Sequence, residues 1–218
     1  MVRSYPNIVI TGTPGTGKST HSSLLASTYQ QAVGASTSPL RVIDVGKIVK
    51  EKQYYLSYDE EWQSYEVNED QLLDELEPLS GGRAPDPLEE GNDGGGDVGE
   101  DVKEAREKGL EDETRGGLIL DWHTCDAWPE RWVDLVVVLR CDHQILWERL
   151  EKRNYPLNKI KENNEAEIMA VVTEEARSSY PQEAVVELRS QESEDLEENV
   201  ERIIQWIKVW RQQRGLED

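Results

Sequence analysis

The sequence predicts an α/β fold, a doubly wound, five-stranded parallel sheet with helices on both faces, and three observations carry that expectation. Leu135-Val136-Val137-Val138-Leu139 is apolar at every position, the pattern of a strand covered on both faces. Such runs alternate with helix-like stretches along the chain. The first of them, Ile8-Val9-Ile10-Thr11, feeds directly into Gly12-Thr13-Pro14-Gly15-Thr16-Gly17-Lys18-Ser19-Thr20, and helix-compatible sequence follows. That strand–loop–helix order around G-x-x-x-x-G-K-S is the context a phosphate-binding loop requires.

In chain order, the first strand is expected at about 7–11, and the helix after the loop should turn Leu24, Leu25 and Ala26 inward. Residues 31–40 are small and polar, a loop. Residues 41–45 read as the second strand, 46–53 as a short helix, and the following stretch through Tyr65 as acidic and rich in Tyr and Trp. Leu72, Leu73 and Leu76 stand at helical spacing within 68–79. The composition then changes. Residues 81–115 hold 12 acidic and 5 basic side chains, a glycine run at 94–96 and almost no core-forming residues. Such a segment cannot offset its ordering entropy by burial, so about 81–100 is expected to be a disordered acidic insertion, with 101–109 extending a helix. Further strands are expected at 117–121, 135–139 and 184–188. Helices are expected at 143–153, 159–179 and 194–212, the last turning Ile203, Ile204, Ile207 and Trp210 inward.

The glycines of the loop permit backbone angles closed to other residues and bring successive N–H groups within reach of phosphate oxygens. The helix beginning near Lys18 aims its positive end at the same anion. Lys18 should reach the β- and γ-phosphates, and the Ser19 hydroxyl should sit on Mg²⁺. Thr13, Gly15, Thr16, Gly17 and Thr20 complete the expected nucleotide contacts. Leu118-Ile119-Leu120-Asp121 is a hydrophobic strand ending in an acid, and in such a fold Asp121 lies beside the loop and holds Mg²⁺ through water. His123 follows two residues later, while His21 and His143 fall in helices, so His123 is the imidazole placed to orient or deprotonate an attacking water. If it titrates near the reference value of about 6.5, hydrolysis should fall below roughly pH 6. Leu146-x-x-Arg149-Leu150-x-x-Arg153 sets two guanidinium groups one helical turn apart, which suits phosphate clamping. Tyr155-Pro156 then breaks the helix and leaves a short lid, so ATP hydrolysis should compete with phosphoryl transfer.

The net charge of −21 excludes a broad nucleic-acid-binding surface and suits a basic partner. Two cysteines, Cys125 and Cys141, make no disulfide framework and point to a reducing compartment. No apolar run approaches the ~20 residues that span a bilayer, and the N-terminus has no apolar signal core. A soluble intracellular protein without a membrane partner is expected.

Taken together, several stretches resemble the adenylate kinase isoenzyme 6 family, nuclear adenylate-kinase-like NTPases of small-ribosomal-subunit maturation. They are 7–19, Asp44-Val45-Gly46, Tyr58-Asp59-Glu60-Glu61 and Asp121-x-His123-x-Cys125-Asp126-x-x-Pro129-Glu130-Arg131-Trp132. They continue in Leu139-Arg140, Leu146-x-Glu148-Arg149-Leu150-Glu151-x-Arg153-x-Tyr155 and Trp206-Ile207-x-x-Trp210. The resemblance covers nearly the whole chain except 31–40 and about 80–114. It implies a single P-loop NTPase domain of nucleoside monophosphate kinase type over 1–218. The core would lie at 7–30, the monophosphate-binding region at about 44–79 and the short lid at about 150–160. It implies ATP with Mg²⁺, adenylate kinase and ATPase activity (ATP + AMP = 2 ADP), and Lys18, Asp121, His123, Arg149 and Arg153 as catalytic residues. Asp44, Gly46 and Lys50 would face AMP. It further implies a basic platform protein of the small ribosomal subunit and the pre-40S particle as partners, and residence in nucleus and cytoplasm. Lys50 stands where the family usually has Arg and Lys47 where it commonly has Asp; lysine is a point charge and cannot make the planar two-bond clamp on phosphate. The residues alone leave three roles open: an ATP-driven assembly factor, a housekeeping nucleoside monophosphate kinase, or a non-catalytic acidic chaperone gated by ATP.

Overall fold

The computed structural model describes residues 3–35, 39–60, 64–81 and 116–216. The expected disordered insertion at about 81–100 and the helical extension at 101–109 lie outside the described residues, Gly81 excepted. Five parallel strands form the main sheet: β1 (Ile8–Thr11), β2 (Arg41–Asp44), β5 (Leu118–Asp121), β6 (Leu135–Arg140) and β7 (Val185–Arg189), in the order β2-β5-β1-β6-β7. Two further strands, β3 (Tyr55–Asp59) and β4 (Ser64–Val67), pair antiparallel as a separate hairpin. The helices are α1 (Lys18–Ala32), α2 (Val45–Lys52), α3 (Glu69–Ser80), α4 (His143–Lys152), α5 (Leu157–Ile168), α6 (Val171–Ser179) and α7 (Ser193–Gln212).

Strand alternation explains why the central runs are apolar throughout. Val9, Leu118, Leu120, Val136 and Val138 point to one face and pack with Val49, Leu72, Leu76 and Ala176 from α2, α3 and α6. Ile8, Ile10, Ile119, Val137 and Leu139 point to the other and pack with Leu25 and Tyr29 of α1 and with Val200, Ile203, Ile204 and Ile207 of α7. A smaller cluster of Cys141, Leu146, Leu150 and Ile160 joins α4 to α5. Because β1 is central, with β5 on one side and β6 on the other, its C-terminal end is the topological switch point where ligands bind in such sheets.

Three expectations are corrected. The Tyr-rich stretch is a hairpin, with Tyr58 opposite Tyr65 and Asp59 opposite Ser64. The single helix at 159–179 is two, divided at Ala170, whose φ of 54° takes the chain out of the right-handed helix. In α1 the inward face is His21, Ser22, Leu25 and Tyr29, while Leu24 and Ala26 are only half-buried.

Candidate nucleotide site

The phosphate loop joins β1 to α1, and its shape is held from outside. Arg149 on α4 donates to the Gly15 carbonyl (3.3 Å), the Ser190 hydroxyl to the Thr16 carbonyl (2.6 Å), and the His21 ring Nδ1 bonds the Gly17 carbonyl (3.0 Å). Pinning three successive carbonyls turns the intervening N–H groups to the opposite side, the arrangement that binds an anion. Gly15 and Gly17 have φ of 99° and 94°, and a Cβ at Gly15 would lie 2.8 Å from Leu146 Cδ1. Glycine is required there by backbone and by space alike.

Inside the loop, Lys18 Nζ donates to the carbonyls of Gly12 (2.7 Å) and Thr13 (3.2 Å). Burial pushes its pKa down to about 8, assisted by Arg153 and opposed by Asp121 and Glu167, so it is still a cation at pH 7. Asp121 ends β5 beside Ile10 of β1 and is buried, with the Ser19 hydroxyl near enough to favour its charged form. Burial raises its pKa, while Ser19 and the Lys18 charge pull it back. A hydroxyl and a carboxylate side by side next to a phosphate cradle are hard oxygen donors of the kind Mg²⁺ takes when it keeps waters and phosphate oxygens in its remaining positions. Among the described residues there is no cluster of three or more His, Cys, Asp or Glu that would cage a metal by itself. Ser19 and Asp121 therefore fit the expected Mg²⁺ pair.

Two cavities touch the loop and share no lining residue. One of about 410 Å³ is bounded by Gly15, Gly17 and Thr20 of the loop and α1, by Arg149 and Arg153, and by Ser190–Leu196 residues before and within α7. The other, about 630 Å³, is bounded by Thr13 and Pro14, Gly46 and Lys50 of α2, Ser64 and Tyr65 of the hairpin, Trp122, His123 and the α5–α6 wall. His123 thus faces the second cavity. Burial first, then the Lys18 and Lys159 cations, push its pKa down to about 4. His123 as a residue is exposed at the cavity, and it is neutral at pH 7. A fall in rate below pH 6 from its protonation is not what these surroundings favour.

Other expected residues take roles that spacing alone did not separate. Arg149 also donates to the carbonyls of Ser190 (2.9 Å) and Gln191 (2.6 Å), so its guanidinium braces backbone and is not the twin of Arg153. Arg153, one turn on, is exposed at the mouth of the 410 Å³ cavity. Asp44 accepts the Lys47 N–H (2.9 Å) as the N-cap of α2 and does not line the larger cavity, whereas Gly46 and Lys50 do. The Lys50 ammonium stands 5.9 Å from the Tyr65 ring centroid. The hydroxyls of Thr13 and Thr16 are engaged within the protein, with Glu167 (2.6 Å) and the Thr13 carbonyl (2.9 Å).

Sequence reading missed three supports. His21 bonds the loop at Gly17 on one nitrogen and meets Asn199 Nδ2 on the other (3.2 Å). Glu167 ties the loop to β6. Glu175 accepts from the N–H groups of Cys125 (2.8 Å) and Asp126 (3.4 Å), and the Tyr180 hydroxyl donates to the Trp128 carbonyl (3.0 Å) and the Cys125 carbonyl, together fixing the loop that presents His123. The spacing of an acid or histidine on a helix carries no signal for such contacts.

Comparison with known proteins places these features. A family model described as an AAA domain matches residues 8–170. The adenylate kinase isoenzyme 6 homolog of Schizosaccharomyces pombe is 42% identical over 209 residues, 96% of this chain and 95% of that one. The Dictyostelium discoideum homolog is 41% identical over 208 residues, 95% of each chain. The Saccharomyces cerevisiae homolog FAP7 is 38% identical over 211 residues, 97% of this chain and 86% of its own.

Proposed function

The chain belongs to the adenylate kinase isoenzyme 6 family, an adenylate-kinase-like group with a P-loop fold of nucleoside monophosphate kinase type, and from that premise we propose that it hydrolyses ATP and transfers its γ-phosphoryl group to AMP. The observation that carries the reading is one cationic phosphate loop set between two separate cavities, about 410 and 630 Å³. A donor and an acceptor on either side of one loop is the layout of a phosphotransferase; a plain binding module has no use for the second cavity.

On this reading ATP fills the smaller cavity and AMP the larger. Lys18 exchanges the Gly12 and Thr13 carbonyls for β- and γ-phosphate oxygens. Arg149 keeps the loop braced, and the exposed Arg153 brings a positive charge to the transferred group. Ser19 and Asp121 would hold Mg²⁺, which when bound would supply positive charge against the phosphates. In transfer, an AMP phosphate oxygen attacks the γ-phosphorus, the bond to the β-phosphate oxygen breaks, and ADP leaves. In hydrolysis, a water takes the acceptor's place, and neutral His123 orients it or accepts its proton.

The wider role we propose is in late small-ribosomal-subunit assembly, on the pre-40S particle, through a basic platform protein, with residence in nucleus and cytoplasm. The net charge of −21 supports a basic partner, and the family resemblance supplies the setting. Purified protein assayed for ATP loss with and without AMP tests the chemistry, with Lys18→Ala as the inactive reference. ATP turnover without AMP, accelerated by a basic ribosomal protein, is the expected result. Turnover only with AMP, or none, would reject the assembly-ATPase reading.

A further inference from the structure

We propose that Glu167 is a positioning residue of the donor site: through the Thr13 hydroxyl, its carboxylate holds the phosphate loop in the arch that receives the triphosphate. The inference rests on the loop being the ATP site. Glu167 is near the end of α5, is 4% exposed and lines neither cavity. Its Oε2 accepts from Thr13 Oγ1 at 2.6 Å. Its Oε1 accepts from Arg140 Nε at 2.7 Å and from the Cys141 N–H at 3.0 Å, and its carbonyl accepts from Arg140 Nη2 at 2.7 Å. A buried carboxylate is costly unless its oxygens meet donors, and here both do, from the phosphate loop and from the end of β6.

Balancing Arg140 does not by itself require this residue. Glu187 already meets Arg140 from the half-exposed surface, at 3.1 Å. What Glu167 adds for the loop, beside its bond to the Cys141 N–H, is the bond to Thr13. The carbonyl of Thr13 in turn accepts from the Thr16 N–H (3.2 Å), the Thr16 hydroxyl (2.9 Å) and Lys18 Nζ (3.2 Å). Residue 13 is thus where the loop's internal bonds converge, and fixing its side chain fixes the arch around the ammonium. A bare carboxylate this near a polyphosphate would repel it; the Arg140 guanidinium at 2.7 Å removes that objection. Preorganisation of this kind spares the loop an ordering cost when nucleotide arrives.

The test measures KM for ATP in the hydrolysis assay, affinity for a fluorescent ATP analogue, and the melting temperature. The proteins are the parent, Thr13→Val, Thr13→Ser, Glu167→Gln and the Thr13→Val/Glu167→Gln double variant. Parent binding of the analogue, lost in Lys18→Ala, checks the donor-site reading first; without it, that reading fails and the inference with it. Given binding, Thr13→Val should raise KM and weaken the analogue about tenfold with kcat much less affected, and Thr13→Ser should return both to within twofold. Glu167→Gln should fall between Thr13→Ser and Thr13→Val, since its amide can still donate to the Thr13 hydroxyl but carries no charge, and the double variant should be no worse than Thr13→Val. Losses that multiply in the double variant, Thr13→Val within twofold of the parent, or melting-temperature changes without any KM change would each overturn the proposal. If Glu167→Gln does not fold, Thr13→Val against Thr13→Ser still decides, since both keep the Arg140–Glu167 pair.

Discussion

Replacing Gly15 by alanine adds one methyl group to the phosphate loop, and the structure sets what that costs. At φ 99° an L-residue lies outside its allowed wells, worth about 1–3 kcal/mol. The new Cβ would stand 2.8 Å from Leu146 Cδ1 and 3.2 Å from Leu150 Cδ2. Both leucines are fully buried in the cluster with Cys141 and Ile160 and have no solvent to swing into, so overpacking adds about another 1–3 kcal/mol. For a chain of this size each kcal/mol moves the melting temperature by roughly 2–4 °C, so Gly15→Ala should melt on the order of 10 °C below the parent. Gly34→Ala is the control. Its φ is 65°, with nothing within 4 Å of the added carbon, so only backbone strain of about 1–2 kcal/mol applies. Thermal unfolding followed by tryptophan fluorescence gives both shifts, and affinity for an ATP analogue should collapse only in Gly15→Ala. If the two variants melt together, the close contact between the loop and α4 is not what the geometry says it is.

Further outcomes follow from the same site. His123→Gly should slow ATP hydrolysis roughly 10²–10⁴-fold while affecting transfer to AMP less, whereas Asp121→Ala should damage both; parallel assays showing equal losses in His123→Gly would leave this histidine a structural role only. Lys50→Arg should lower the apparent KM for AMP by restoring a two-bond phosphate contact and hardly change AMP-independent turnover; an unchanged AMP dependence would remove Lys50 from the acceptor site. Asp195 accepts from Arg189 and from the N–H groups of Gln191 and Glu192, which hold its carboxyl below the usual range. Its charged form therefore stabilises the fold above the unfolded value of about 3.9, and that stabilisation is lost as pH falls through the lower folded value. Melting curves should then show Asp195→Asn less stable than the parent at pH 7, with the gap closing below pH 4; a gap constant with pH would contradict this.

The five strands and the phosphate loop were legible because each is written in neighbouring residues. Ile8–Thr11, Leu118–Asp121 and Leu135 to Leu139 are buried on both faces, so every one of these positions reports the same environment. The hairpin was not legible for the opposite reason. Tyr55 and Val67 pack against the body, but Leu56 and Tyr58 are exposed, so the alternation has little contrast, and no Asn-Gly or Asp-Gly turn marks it. Its cohesion comes from Tyr65 meeting Tyr55 and Tyr58 at 4.6 and 4.8 Å, contacts that exist only once the strands are paired. The break at Ala170 was hidden too, since neither Gly nor Pro stands there.

The polar supports of the site show where local reading stops. The buried face of α5 is Ile160, Asn164 and Glu167, a helical period in which only the first residue is apolar, so a hydrophobicity pattern assigns that face to solvent. The partners that make Glu167 tolerable inside are Arg140, 27 residues earlier, and Thr13, 154 residues earlier. The same holds for His21, which on α1 looks like one more polar residue until Asn199, 178 residues on, meets its second nitrogen. A buried polar group is stable only as a member of a satisfied set. The phosphate loop's own residues can therefore be read from one stretch of chain, while the side chains that keep its carbonyls turned outward become visible only when α1, α4, α5 and α7 have been brought around the end of β1.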